Sequence, residues 1–189
     1  MERILYINLD HRTDRRESIE SVLTGFKYER IPAIKHQHGY IGAYLSHIKA
    51  LEHAISKNYR HVLIIEDDML WNDFDKNYAK LKVLMSKHYD VIVLGGILVS
   101  HDPSTHKLYQ CNSAGAYLVN GRYMRKLLQH FQRGLMNFNK TFKSGYLLDV
   151  YWHALQKSDT WYILPMCYSN EDYSDVSGKI VNWKPYFLT

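Results

Sequence analysis

Short, unbroken apolar runs that alternate with stretches of helical periodicity limit how this chain can fold more than any other feature. Ile4 to Leu9 is one such run, and it stops at the polar pair Asp10-His11. His61-Val62-Leu63-Ile64-Ile65 is the strongest, and Asp90-Val91-Ile92-Val93-Leu94 is a third, ending in Gly95-Gly96. Runs of this length without polar alternation fit strands buried on both faces. Between them, Leu45, Ile48, Leu51 and Ile55 recur at spacings of three and four, which predicts an amphipathic helix from about Ile41 to Lys57. Leu81, Leu84 and Met85 place another helix within Phe74 to Lys87. Asp14 followed by Glu17 resembles a capping box for a helix that continues through Ile19, Val22 and Leu23 toward Gly25. Tyr28 to Ile34 reads as a short or edge strand, because Pro32 cannot donate to a ladder. Strand, helix and strand in repetition predict an α/β fold with a mostly parallel central sheet flanked by helices.

The second half is less regular. Ala116 to Val119 reads as a strand, Arg122 to Phe131 and Leu147 to Gln156 as helices, and Trp161 to Leu164 as a last strand. No internal repeat and no long linker divides the 189 residues, so one domain over the whole length is expected. With 46% hydrophobic and 23% charged residues, the chain is neither disordered nor low in complexity. Its net charge of +5 would suit a nucleic-acid partner, yet the cations are spread along the chain and only Arg12, Arg15 and Arg16 lie close together, so none is expected. No apolar run approaches the roughly 20 residues of a membrane helix, and no signal-peptide core opens the sequence. A cytoplasmic protein without an integral membrane segment is the expectation. Cys111 and Cys167 are too few and too far apart for a disulfide framework or a metal knuckle and read as buried thiols.

Ligands of such sheets bind outside the carboxyl ends of the strands. That rule gathers Asn8 to Arg12, Glu66 to Asp68 and Gly95-Gly96 around one cleft. Glu66, Asp67 and Asp68 follow a buried strand directly, and three adjacent carboxylates oppose one another's ionisation. A cation should sit among them. Mg²⁺ or Mn²⁺ suits the site, since such ions take one or two carboxylates together with the oxygens of a diphosphate. The bland alternative is a solvated loop in which Asp67 or Asp68 caps the next helix.

Several segments in order carry a family likeness. Ile7-Asn8-Leu9-Asp10 with Arg12, Asp14, Arg15 and Arg16 comes first, then Gly39-Tyr40-Ile41-Gly42 leading to Leu45-Ser46-His47. Ile65-Glu66-Asp67-Asp68, Gly115-Ala116-Tyr117-Leu118 and Ser174-Asp175-Val176 follow. Together they resemble glycosyltransferase family 25, which includes lipooligosaccharide glycosyltransferases and collagen galactosyltransferase domains. The resemblance implies a GT-A type, Rossmann-like fold and a UDP-sugar donor. It further implies Mn²⁺ or Mg²⁺ at an Asp-x-Asp-like motif and inverting hexosyl transfer to a hydroxyl of a glycan, lipooligosaccharide or protein side chain. The alternative is a non-catalytic nucleotide-sugar or glycan-binding module of the same fold.

Roles follow for individual residues. Asp68 is the expected metal ligand, with Glu66 or Asp67 orienting ribose or bound water, and Asp175 is a candidate distal ligand. Asn8, Leu9 and Asp10 would frame the nucleoside. Of the three arginines, Arg12 and Arg16 are the candidates for the diphosphate, whose oxygens suit guanidinium forks, with one arginine of the group left to solvent. Ser46 and His47 are donor-contact candidates, His47 being equally readable as a satisfied core histidine. Gly95 and Gly96 either permit close backbone approach to the donor or form a turn. Displacement with inversion needs a base for the acceptor hydroxyl. Asp149, set among Leu147, Leu148, Val150, Tyr151 and Trp152, is the candidate, with Glu171, Asp172 and Asp175 as competitors. Tyr117, Tyr146, Tyr151 and Tyr173, from a chain rich in tyrosine, offer rings for stacking on sugar or uracil.

Overall fold

In a computed structural model that describes residues 2–187, the chain begins with β1 (Ile4–Asn8), α1 (Thr13–Val22), β2 (Tyr28–Pro32), α2 (Gly39–Ser56) and β3 (His61–Glu66). It continues through β4 (Met69–Trp71), α3 (Phe74–Ser86), β5 (Val91–His101), β6 (Leu108–Asn120) and α4 (Gly121–Thr141). Two short helices, α5 (Leu148–Tyr151) and α6 (His153–Ser158), precede β7 (Trp161–Ile163), β8 (Cys167–Ser169), β9 (Glu171–Ser174) and β10 (Lys179–Asn182). Six strands form one sheet in the order β2-β1-β3-β6-β5-β7. The pairs β1/β2, β1/β3 and β5/β7 are parallel, while β6 runs against both β3 and β5. A hairpin connection from β5 compels that reversal, and the other five strands point the same way.

The unbroken apolar runs are explained by the pleat, which sends alternate side chains to opposite faces. Leu5, Ile7, Val62, Ile64, Val91 and Val93 enter a core beneath α2, α4 and Trp152. Ile4, Tyr6, Leu63, Ile65, Ile92 and Leu94 enter a second core with Ile19 of α1 and Leu81 and Leu84 of α3. Both faces being covered, the middles of these strands are apolar throughout, and polar residues such as Asn8, His61 and Glu66 stand only at their ends. Cys111 and Cys167 are buried free thiols, one in each core. No helix among the described residues is long and apolar enough to cross a membrane.

Several boundaries depart from the sequence reading. The first helix has Arg12 at its N-cap and no side-chain cap, so Asp14 and Glu17 do not form a capping box. On α2 the buried face centres on Tyr44, His47, Leu51 and Ala54, with Leu45 and Ile55 at its margins. β5 does not stop at Gly95-Gly96 but continues to His101, because β6 extends equally far and holds it in a ladder. α4 continues beyond Phe131 to Thr141, and the helix read over Leu147 to Gln156 breaks at Trp152, which is turned wholly inward against Trp161.

Helices α2 and α4 approach each other at Gly134. A Cβ there would stand 2.4 Å from the Tyr44 hydroxyl and 2.7 Å from Tyr151 Cδ1. Tyr44 cannot readily retreat, since it is fully buried and its hydroxyl donates to the Tyr146 carbonyl at 2.7 Å. Alanine would raise helix propensity by about 1 kcal/mol, whereas overpacking costs about 1–3 kcal/mol. Gly134→Ala is therefore expected to destabilise the protein by up to about 2 kcal/mol. The check is a lowered urea midpoint with unchanged slope, and an equal or higher midpoint would show that the Tyr44 ring yields.

Candidate active cleft

The carboxyl ends of β1 and β3 open into a cavity of about 360 Å³, walled by the start of α2, by α5 and by the β9–β10 hairpin. β1 delivers Asn8, whose side chain is 1% exposed and fully engaged. Its Nδ2 donates to Asp67 Oδ2 at 2.7 Å and to the Arg12 carbonyl at 3.0 Å, while its Oδ1 accepts from Arg30 Nε at 2.9 Å. Asn8 thus sets the position of Asp67. Leu9 lines the cavity, but Asp10 is exposed and bound to Arg30, and it does not reach the cavity wall.

The three carboxylates at the end of β3 have three different environments. Glu66 opens on the cavity and accepts from His47 Nε2 at 3.1 Å. His47 is buried, stacks on Tyr117 and meets the Tyr117 hydroxyl through Nδ1 at 3.0 Å. Burial opposes the charge of Glu66, but the His47 hydrogen bond and charge, with Arg15, outweigh it and hold its pKa below the usual value. Burial pushes the Tyr117 hydroxyl far upward, so it remains a protonated hydrogen-bonding group. Asp67 is raised by burial, which Asn8 and Arg15 only partly offset. Asp68 is pushed up to about 7 by burial and then by the Glu66 charge, against the opposing pull of Arg15. Its Oδ2 accepts from Ser169 Oγ at 3.2 Å, while its buried Oδ1 has no hydrogen-bond partner among the described residues.

The cation demanded by this cluster comes in part from the chain itself. Arg15 Nη1 lies 3.1 Å from Asp67 Oδ1 and 3.8 Å from Asp68 Oδ2, and Nε lies 2.6 Å from Asp172. Its Nη2 donates to the Tyr173 carbonyl at 2.9 Å. Arg12 binds Asp175 at 2.7 Å, Asp172 at 3.1 Å and Asp14, so it fastens the hairpin and does not line the cavity. Arg16 turns to Glu20 on the outer side of α1. Among the three arginines the cavity therefore receives Arg15, not Arg12 or Arg16. The helix starts at Thr13, and adjacent helical positions do not face the same way. Asp175 faces the cavity, but its carboxylate is taken by Arg12 and by His11 at 3.4 Å.

Ser46 is also spent on structure: it donates to the Gly42 carbonyl at 2.7 Å and accepts from the Ile34 amide at 2.8 Å, tying α2 to the loop before it. Gly39 lets the hairpin come down on α2, since a Cβ there would lie 2.5 Å from the Val176 backbone. Gly95 and Gly96 do not reach the cavity. A Cβ would meet Met69 at 2.7 Å from Gly95 and Ile163 at 2.9 Å from Gly96, so their smallness serves packing.

Across the cavity Asp149 stands on α5, its Oδ2 accepting from the Ser113 amide at 3.0 Å. Ser113 holds a left-handed φ of 74°, a strained conformation that aims its N–H at the carboxylate. The sequence carried no signal for Ser113, because the early part of β6 was not readable as a strand. Glu171, another candidate for the base, has a side chain outside the described residues. Tyr117 is wholly buried and unavailable for stacking on a ligand, Tyr146 and Tyr151 pack on each other, and Tyr173 is half-exposed on the hairpin. Among the described residues no three His, Cys, Asp or Glu side chains form a ready metal cage. Among the described residues the cavity wall carries Glu66, Asp67, Asp68, Asp149, Asp172 and Asp175 against Arg15 and Lys35, an excess of carboxylates over Lys and Arg.

No protein-family model matches the chain, and no curated protein does. Solved structures share its fold. A197 from STIV superposes with a TM-score of 0.51 at 14% identity, over 96% of this chain and 94% of that one. A glycosyltransferase involved in the glycosylation of the major capsid of PBCV-1 gives 0.55 at 12% identity, over 86% and 80%. The 4-diphosphocytidyl-2C-methyl-D-erythritol synthase of Anaerococcus prevotii DSM 20548 gives 0.50 at 9% identity, over 96% and 73%. At these identities the likeness is one of fold, a GT-A-like mixed α/β arrangement.

Removal of Arg15 leaves Asp67, itself nearly buried, without its cation. Arg15→Ala is expected to cost about 3 kcal/mol, and Arg16→Ala, an exposed helix pair, less than about 1 kcal/mol. Urea unfolding of the two variants side by side checks this, and equal losses would contradict the placement of Arg15.

Proposed function

We propose that the protein is a glycosyltransferase that moves a hexose from a UDP-sugar to a hydroxyl acceptor with inversion at the anomeric carbon. The observation that carries this reading is the buried Oδ1 of Asp68, unpartnered among the described residues, in a cleft with excess carboxylates. A diphosphate cannot approach such a wall unless another cation comes with it. Hard divalent ions need only one or two protein carboxylates when substrate oxygens and water complete the shell. Asp68, with Glu66 beside it, fits that demand for Mn²⁺ or Mg²⁺. A bound ion would act as a Lewis acid toward the charge developing on the leaving diphosphate. Asp175 is less suited, because Arg12 and His11 hold it.

The chain's own groups divide the remaining work. Arg15 adds a fixed positive charge beside the diphosphate position. Leu9 and the start of α2 bound the side where the nucleoside would lie. Asp149 serves as the base: the Ser113 amide holds Oδ2, which leaves Oδ1 to accept the proton of an attacking hydroxyl. His47 and Tyr117 steady Glu66 from behind rather than touching the donor. The family 25 likeness supports the reading, since Gly39, Gly42, Ser46, His47 and the Glu66-Asp67-Asp68 triplet converge on this one cleft. The acceptor class, whether glycan, lipooligosaccharide or hydroxylated protein, rests on that likeness.

Thermal shift against a panel of UDP-sugars, with and without Mn²⁺, together with UDP release, tests the proposal. A donor that stabilises only with metal, and is turned over, is the expected result. Asp149→Asn should keep that stabilisation and lose transfer by about 100-fold or more, whereas Asp68→Ala should lose the metal-dependent stabilisation itself. Near-normal transfer by Asp149→Asn would exclude it as the base, and metal-dependent donor binding without any UDP release would favour a binding module.

A further inference from the structure

The stretch 121–148 contains Arg122, Arg125, Lys126, Arg133, Lys140 and Lys143 and not one Asp or Glu. The whole chain is only +5, so outside this stretch carboxylates outnumber Lys and Arg by one. The positive charge that looked dispersed along the sequence is therefore the property of one element, α4 and the turn after it. Arg122, Lys126, Gln129, Arg133, Met136 and Lys140 are all exposed and follow one another at spacings of four and three. That spacing makes a single straight stripe, about 27 Å long at the helical rise, opposite the face that Tyr123, Leu127, Phe131 and Phe138 bury.

Neighbouring elements answer only part of this charge. Lys126 binds Asp159 at 2.7 Å and Arg122 lies 3.7 Å from Asp90. Arg125, Arg133, Lys140 and Lys143 have no ion pair among the described residues. The free cations lie mostly toward the C-terminal end of the helix, and there apolar side chains project among them. Met136 is 50% and Phe142 54% exposed. Phe142 packs on Phe138 and His38, and Phe138 on Tyr40, which stands on the wall of the cleft.

We infer that this face docks on an anionic lipid bilayer. A cationic helix face with apolar residues projecting from it lies in the interface, its cations on acidic headgroups and its apolar side chains at the acyl boundary. A second copy of the chain would bring like charges together across the contact. A nucleic-acid backbone would complement the cations but give Met136 and Phe142 nothing to enter. On the transferase reading, this docking brings the cleft mouth near acceptors held on the same bilayer.

Co-sedimentation with vesicles of phosphatidylcholine alone, and of phosphatidylcholine with phosphatidylglycerol, tests the surface without reference to turnover. The protein should bind the anionic vesicles at least about tenfold more tightly. Arg133→Glu with Lys140→Glu should reduce that binding to the neutral-vesicle level. Met136→Ser with Phe142→Ser should weaken it about fivefold or more, also at raised salt, where the electrostatic part is screened. All four positions lie outside the cleft, so an unchanged unfolding midpoint certifies the fold of each variant. Equal binding to both vesicle types, or a Glu variant that binds as the parent does, would overturn the inference. So would tighter binding to duplex DNA than to anionic vesicles, with the Met136/Phe142 variant unaffected.

Discussion

One guanidinium links the first helix, the end of β3 and the β9–β10 hairpin at the cleft. Arg15 reaches from the first helix to Asp67 at the end of β3 and to Asp172 on the hairpin. The carboxylates at the end of β3 would otherwise repel one another, and the hairpin would lose one of its ties to the first helix. Arg12, beside it, repeats the tie through Asp172 and Asp175. The two arginines thus join the beginning of the chain to its last strands, which form one wall of the cleft.

The carboxylates themselves show how position after one strand yields three chemical behaviours. Glu66 is kept ionised by the histidine behind it, and Asp67 is consumed by Asn8 and Arg15. Asp68 is pushed up to about 7 by burial and the Glu66 charge, and one of its oxygens has no hydrogen-bond partner among the described residues. Glu66 closes the strand while Asp67 and Asp68 form the turn after it, so the three carboxylates point in different directions and each is resolved by what it faces. The backbone supplies the last part, since the strained Ser113 places an amide on Asp149 from the far wall.

The strands and most helices were legible because burial on both faces leaves an unmistakable apolar run, as in Val62 to Ile65 and Val91 to Leu94. The place of the acidic triplet on the cavity wall was legible for the same reason: charge directly after such a run has to lie beyond the strand's carboxyl end. The long β5–β6 hairpin was not, because Gly95, Gly96, Ser100, Gln110 and Ser113 break its pattern with small and polar residues that pack or bulge. Which of the three arginines lines the cavity was not legible, because the helix lacks the side-chain cap that Asp14 and Glu17 suggest and its phase is not set by the sequence. The hairpin strands β9 and β10 carry mostly polar side chains and are held by ion pairs to a region some 160 residues away, which local pattern cannot reveal.

Asn8 carries a consequence of its own. It gives protons to Asp67 and to a carbonyl while taking one from Arg30, so its two ends must have opposite character. Aspartate, of the same shape, would meet the Asp67 carboxylate with another acceptor, and leucine, of similar bulk, would satisfy neither neighbour. The amide works there as a converter of polarity, passing the influence of an arginine at the sheet's outer strand to an aspartate at its centre. Its identity is dictated by the direction in which protons are offered around it, so the position is closed to substitution although its side-chain polar atoms are already committed to the protein itself.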